Sequence, residues 1–239
     1  MTTPPVLRLT KVRKQYNALR PLRMNDLVVA AGERVAVSGL DAGAAEVLVN
    51  LVTGASVPDE GDVLVEGRST AAIVDADQWL ASLDRFGIVS PRAVLLDAAT
   101  LLQNLAMPLT LQIDPVPEGA AAEATALARE AGIDEVYLDR PIAGLPAAVK
   151  MRAHLVRAVM LAPALLVLEH PTATLAKGEG RTFGDAVAAV AGARSLATLI
   201  ISEDADFSSA AASRRLALQA ASGDLKPQGR GFFRLPFSS

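Results

Sequence analysis

The chain has no cysteine among its 239 residues, only 4% aromatic residues, and two histidines. Without cysteine there are no disulfides and no thiolate metal sites. Two histidines as far apart in sequence as His154 and His170 give no basis for a histidine-rich metal centre. Long apolar runs are missing as well. Nothing approaches the ~20 residues of a membrane-spanning helix, Asn50 interrupts the stretch 47–52, and the N-terminal residues lack a basic-then-apolar signal pattern. Charge of one sign is also missing. With 23 Lys and Arg against 26 Asp and Glu the net charge is −3, which makes no general electrostatic case for nucleic acid or an anionic membrane surface. These absences lead to the expectation of a soluble, cytoplasmic protein with no nucleic-acid partner.

What is present is apolar content. At 51% hydrophobic residues the chain can build one large domain or two small lobes, and is apolar enough to leave surface for a membrane-bound partner. The most informative stretch is Leu165-Leu166-Val167-Leu168-Glu169-His170-Pro171-Thr172. An unbroken apolar run ending on polar residues reads as a parallel strand covered on both faces. In doubly wound α/β folds, ligands bind beyond the carboxyl ends of such strands, where Glu169 and His170 stand.

Taken in order, residues 6–9 alternate as a strand, followed by Tyr16. Further strands are predicted over 27–31 and 34–38, around a turn at Gly32-Glu33. A small-residue loop, Gly39 to Ala44, precedes a helix over 45–52 that stops at Gly54. A turn at 58–61 leads into a strand over 62–66. A short helix over 78–83 and a strand over 86–89 follow. After Pro91 the texture changes to helical patterns (99–105 and 118–131) and a loop over 139–148. The spacing then predicts a returning helix over 149–161, the strand at Leu165, a helix over 182–191, a strand over 198–202, and a hairpin across Ser222-Gly223-Asp224. The organisation expected is one domain with a core lobe (about 1–91 and 149–228), a helical lobe (about 92–148) and a tail (229–239).

This order, over about residues 5–228, resembles the nucleotide-binding domain of ABC transporters. Tyr16 matches the aromatic that stacks on adenine. Gly39-Leu40-Asp41-Ala42-Gly43-Ala44-Ala45-Glu46-Val47 matches the Walker A loop and its exit. Leu145-Pro146-Ala147-Ala148-Val149 stands at the Leu-Ser-Gly-Gly-Gln signature, and Pro163 to Pro171 at Walker B. Pro91 replaces the Q-loop glutamine, Ala176 the D-loop aspartate, and Glu203 the switch histidine. Met107-Pro108-Leu109 after Gln103-Asn104-Leu105 is most similar to lipoprotein-release and macrolide-export ATPases. The resemblance implies an α/β fold: a P-loop NTPase (RecA-like) core with an N-terminal antiparallel β subdomain and an inserted α-helical subdomain. It also implies ATP and Mg²⁺ as cofactors, a transmembrane subunit and a second nucleotide-binding domain (in a homo- or heterodimer) as partners, and a peripheral place on the inner face of the cell membrane.

The chemical positions depart from the pattern. Ala45 has no ammonium for the β- and γ-phosphates. Glu46 replaces a metal-binding hydroxyl and either takes the phosphate's place at the helix N-terminus or simply stabilises the first turn. Glu169, in place of the magnesium-binding aspartate, is either a residual metal ligand or a structural carboxylate. His170 replaces the catalytic glutamate, and Pro146 removes a hydroxyl and an N–H from the signature. The candidate catalytic residues are therefore Glu169, His170 and Glu203, with nucleotide binding and hydrolysis expected weak or absent. Three functions compete: an ABC-transporter subunit without ATPase activity, an active ATPase in which His170 and Glu203 exchange roles, and a soluble regulatory module with no transporter. The reciprocal placement of His170 and Glu203 predicts a direct or water-bridged pair. Leu95, Leu96, Leu101, Leu102 and Met107 are the expected docking surface for a membrane subunit.

Overall fold

The computed structural model describes residues 4–73 and 75–228; the tail expected over 229–239 lies outside them. In chain order the strands are β1 (Leu7–Lys14), β2 (Leu22–Val29), β3 (Arg34–Ser38), β4 (Glu60–Val65), β5 (Arg68–Ser69), β6 (Phe86–Val89), β7 (Leu165–Glu169), β8 (Ala197–Ile201), β9 (Arg214–Gln219) and β10 (Asp224–Pro227). The helices are α1 (Ala42–Val52), α2 (Ala76–Ser82), α3 (Leu101–Ala106), α4 (Glu118–Glu130), α5 (Ala147–Val159), α6 (Glu179–Ala193) and α7 (Ala205–Ala211).

Two sheets result. One is antiparallel in the order β2-β1-β4-β5; the other runs β10-β9-β3-β8-β7-β6. In the second, β9, β3, β8, β7 and β6 are mutually parallel and only the edge strand β10 is antiparallel. The apolar run in β7 explains its central place. Leu165, Leu166, Val167 and Leu168 all have 0% exposure. Because successive side chains point to opposite faces, Leu165 and Val167 enter the core shared with α1 and the antiparallel sheet, while Leu166 and Leu168 enter the core shared with α3 to α7. Each such side chain contributes roughly 1.5–3 kcal/mol on burial. The same alternation puts Glu169 on the α1 face. Gly87 lets the helical layer close onto the sheet edge, since a Cβ there would lie 2.1 Å from the Ala158 carbonyl oxygen of α5.

Between β6 and α5 the chain forms a unit that closes on itself. The amides of Leu101 and Leu102 donate to the carbonyls of Arg140 and Leu138, each at 2.9 Å. The buried Asn104 donates to the carbonyls of Leu96 and Thr100, and its Oδ1 accepts from the Leu96 amide. Several helices are longer or displaced relative to the apolar pattern. α6 starts three residues earlier than 182 because Glu179 anchors its first turn, accepting from the Ala176 amide at 2.9 Å. The expected docking run is largely internal: Leu95 and Leu101 are buried, Leu102 and Met107 are partly buried, and only Leu96 is exposed. Leu95 and Leu101 line the interior of the helical unit and are not part of the surface predicted for them, which leaves Leu96 and the accessible parts of Leu102 and Met107.

Candidate functional site

The site lies at the carboxyl ends of β3, β8, β7 and β6. Beyond β3 comes Gly39, whose φ of 88° suits glycine and whose hydrogen faces the Leu218 carbonyl, with room for no side chain. The loop that follows is shorter than the sequence suggested. Helix α1 begins at Ala42, three residues before the predicted start. Two causes are local. Asp41 is a good N-cap: its Oδ1 accepts from the Ala44 amide at 2.8 Å, and its carbonyl accepts from the Ala45 amide at 2.8 Å. Alanine at 42 and 44, where glycines would keep a loop open, favours continued helix.

Two amides at the start of the loop are taken by another carboxylate. Glu203 Oε1, just beyond β8, accepts from the Gly39 amide at 2.6 Å and from the Leu40 amide at 3.2 Å. The carboxylate on the loop is therefore that of Glu203, and the alternative in which Glu46 takes the phosphate's place is corrected. Glu46 stands half-exposed on α1, past its first turn, and faces a cation, Arg92, at 3.6 Å. Ala45 has 0% exposure, so the lysine position is part of the apolar core. Val47 packs partly buried against the same core.

Glu169 ends β7 with only 2% exposure. Its two oxygens receive a fork from Arg92, Nη1 to Oε1 at 2.9 Å and Nη2 to Oε2 at 2.7 Å. Arg92 is itself positioned by the turn after β6, where its amide donates to the buried Ser90 Oγ at 3.1 Å. A bidentate guanidinium–carboxylate pair is among the stronger charge-assisted contacts, and a buried carboxylate requires such a partner. Arg92 was not among the residues singled out in the sequence. The available signal was a cation directly after the Q-loop position, at the exit of a strand parallel to β7.

His170 and Glu203 make no direct pair: among the described residues neither a hydrogen bond nor an ion pair joins them, and Glu203 accepts from the Gly39 and Leu40 amides instead. His170 sits at φ 42°, its amide bonded to the Ile201 carbonyl at 2.8 Å, and its Nε2 is buried without a hydrogen-bond partner. The exchange of residue types between these two positions therefore brings no direct contact. Asp204 beside Glu203 caps α7, accepting from the Phe207 amide.

Tyr16 lies half-buried over the start of α1. A methyl group on Gly43 would sit 3.5 Å from its Cε2. Burial, and after it the negative charge of Asp41, pushes the Tyr16 hydroxyl pKa up. A cavity of about 470 Å³ opens beside it, between Tyr16, Arg20, Arg23, Gly39, Leu40 and Asp41. The signature segment is elsewhere on the surface. Leu145 and Val149 are buried, Pro146 and Ala147 are exposed, Ala148 is partly buried, and α5 starts from Pro146 with no side-chain cap. A second cavity of about 320 Å³ lies between β6 and α5, lined by Phe86, Ile88, Val94, His154, Arg157 and Leu161. Arg157 Nη1 donates across it to the Val94 carbonyl at 2.8 Å, and burial lowers the Arg157 pKa. Burial, and after it the Arg157 charge, also lowers the His154 pKa.

A mostly parallel sheet with a glycine turn after β3 opening helix α1, and a buried strand ending in a carboxylate at the same edge, defines an α/β P-loop NTPase fold. The chain belongs to the ABC transporter family, as its ATP-binding domain: the family model described as "ABC transporter" matches residues 22–173. Among curated relatives, the lipoprotein-releasing system ATP-binding protein LolD of Pseudomonas syringae pv. tomato is 30% identical over 173 residues, covering 72% of this chain and 75% of that protein. LolD of Psychrobacter arcticus is 24% identical over 218 residues, covering 90% and 96%. The lipoprotein-release-like subgroup therefore fits. Among solved structures, the dimeric ATP-binding cassette MJ0796 in a post-hydrolysis state with ADP and Pi superposes with a TM-score of 0.75 at 19% identity, covering 95% of this chain and all of that one.

Proposed function

We propose that the chain is a non-hydrolysing cassette subunit of an ABC transporter, structural or regulatory in role. The observation that carries this reading is a loop whose amides are partly taken from within: Glu203 accepts from the Gly39 and Leu40 amides, and Asp41 from the Ala44 amide. A phosphate-binding loop works through free backbone N–H groups, a lysine and a metal-binding hydroxyl. Here three of the amides have internal carboxylate acceptors, Ala45 is buried, and Glu46 would repel phosphate. The metal position fits no better, because the oxygens of Glu169 are both engaged by Arg92. ATP and Mg²⁺ thus do not suit this set of side chains, and no catalytic step is derived through them.

The domain reading that accompanies this proposal keeps a core lobe (about 1–91 and 149–228) and a helical lobe (about 92–148). A transmembrane subunit would dock in the groove between β6 and α5, where Val94 and Leu161 expose 71% and 48% of their surface. A second cassette, identical or not, would be the other partner. Among the described residues no helix is long and apolar enough to cross a membrane, so a peripheral place at the membrane would come through such a subunit. The test is phosphate release by the purified chain with magnesium and ATP. The reading expects no turnover above that of an active relative lacking its Walker A lysine. Turnover that disappears in His170→Ala would replace it with an ATPase of unusual site residues.

A further inference from the structure

We propose that Arg92 is a built-in latch: its guanidinium takes the place of a bound cation and fixes the entry of the helical lobe to β7, whether or not nucleotide is present. The proposal rests on the reading above and extends it from the phosphate loop to the mobility of the lobe. In the resembled family the segment after β6 senses nucleotide through its Q-loop glutamine. Here that position is Pro91, which has no side-chain donor, and the following residue makes the contact instead.

The geometry is that of a cross-link. Arg92 is where the chain leaves the core for the helical unit, and Ser90 Oγ holds its amide at 3.1 Å. Its fork closes on Glu169, 98% buried and 77 residues distant along the chain, with Glu46 of α1 as a second carboxylate at 3.6 Å. One guanidinium therefore ties the exit of β6 to the end of β7 and to the N-terminal half of α1. Glu203 complements it, tying the exit of β8 to the turn after β3. Four strand ends are thus joined by a cation and an anion that belong to the chain itself. Two further contacts seat the unit beyond the latch: Arg157 Nη1 to the Val94 carbonyl at 2.8 Å, and the bidentate pair of Arg194 after α6 with Glu130 of α4, at 2.5 and 2.8 Å.

A ligand moves a conformational equilibrium only by its differential affinity for the two states. With the cation and anion sites filled internally, nucleotide has little to bind differentially, and the lobe stays where Arg92 holds it. The buried Glu169 carboxylate makes the latch self-enforcing, because release of Arg92 would leave that charge without its partner.

The test uses the absence of native cysteine. Spin labels introduced at the exposed positions Asp62 and Glu123, as Asp62→Cys and Glu123→Cys, report the distance between β4 of the core and α4 of the helical unit. The parent should give one narrow distribution, unchanged by magnesium-ATP. Arg92→Ala should broaden or shift it, and hydrogen exchange of the 93–99 loop should speed up. Arg92→Ala with Glu169→Gln removes the stranded charge as well as the latch. It should recover unfolding midpoint relative to Arg92→Ala while the distances stay broad. A narrow, parent-like distribution in both variants would overturn the proposal, as would a shift of the parent by nucleotide. Calorimetry on the same samples separates the two ideas. Nucleotide binding to the parent contradicts the closed phosphate loop alone if the distances hold still, and a narrow Arg92→Ala distribution contradicts the latch alone if nothing binds.

Discussion

Glu203 rests its carboxylate on the amide of Gly39 at 2.6 Å, a contact between residues 164 apart that fills the loop where the family binds phosphate. The carboxylate reaches it because β8 and β3 are parallel neighbours, with Ile201 beside Val37, so that residues just beyond their ends meet. Removing it exposes two donors to solvent at an accessible surface. Glu203→Ala is expected to cost about 0.5–1.5 kcal/mol of stability, with Glu203→Gln, which keeps an acceptor, closer to the parent. Urea unfolding of the three proteins decides this; no difference among them would mean the contact contributes nothing.

The Arg92–Glu169 pair should be asymmetric. Arg92→Ala strands a buried carboxylate and is expected to cost up to about 3 kcal/mol, the half-exposure of Arg92 keeping it below the range for fully buried pairs. Arg92→Leu combined with Glu169→Leu should restore much of that loss, since no charge is left buried. A double-mutant cycle by denaturant unfolding measures the coupling, and additive losses would contradict the pairing.

Restoring the lysine alone should not restore nucleotide binding. Ala45 is fully enclosed, so Ala45→Lys must overpack the core or force the helix start open, at a cost of roughly 1–3 kcal/mol. Binding of a fluorescent ATP analogue is expected only when Ala45→Lys is combined with Glu46→Ser and Glu203→His, which also clears the loop amides. Binding by the single Ala45→Lys variant would show that the Glu203 contact is no obstacle.

His154 gives a pH dependence with a defined sign. Its folded pKa lies below the ordinary value of 6.5, through burial first and the Arg157 charge second. The unfolded chain therefore binds this proton more readily. The contribution is absent above pH 6.5, and stability falls as pH drops from there toward the folded pKa. His154→Gln should flatten that segment of the thermal stability profile between pH 7 and 5, whereas an unchanged profile would assign the acid loss to other groups.

The groove between β6 and α5 should tolerate charge where the helical interior does not. Val94→Asp and Leu161→Asp lie at exposed positions and are expected to leave the thermal midpoint within a few degrees while weakening retention of a membrane subunit. Leu101→Asp, at 0% exposure, should unfold the helical unit. If Val94→Asp and Leu161→Asp retain the subunit as the parent does, the groove is not the docking surface.

The architecture was legible because it is written in local patterns. The apolar run at 165–168, the alternation in β1 and the glycine and proline punctuation each report a single element, and the order of weak motif matches placed them in one family. The site was less legible because its contacts join residues far apart. Nothing near Arg92 in the sequence names Glu169 as its partner, and the exchange of His170 and Glu203 suggested a direct pair, whereas Glu203 bonds the Gly39 and Leu40 amides. The early start of α1 was readable in principle. Asp41 followed by Ala42, Gly43, Ala44 and Ala45 is an N-cap before helix-favouring residues, but comparison with the glycine-loop pattern outweighed it. The leucines at 95 and 101 misled for the opposite reason, since apolar residues beside a loop pack inward whenever a small unit must build its own core.

Calorimetric titration of the purified chain with magnesium-ATP tests the central claim most directly. With the Gly39 and Leu40 amides held by Glu203 and Glu169 held by Arg92, the account predicts no heat of binding at micromolar to millimolar nucleotide. It predicts that heat appears only in the variant combining Ala45→Lys, Glu46→Ser and Glu203→His. Micromolar affinity in the unmodified chain would contradict it.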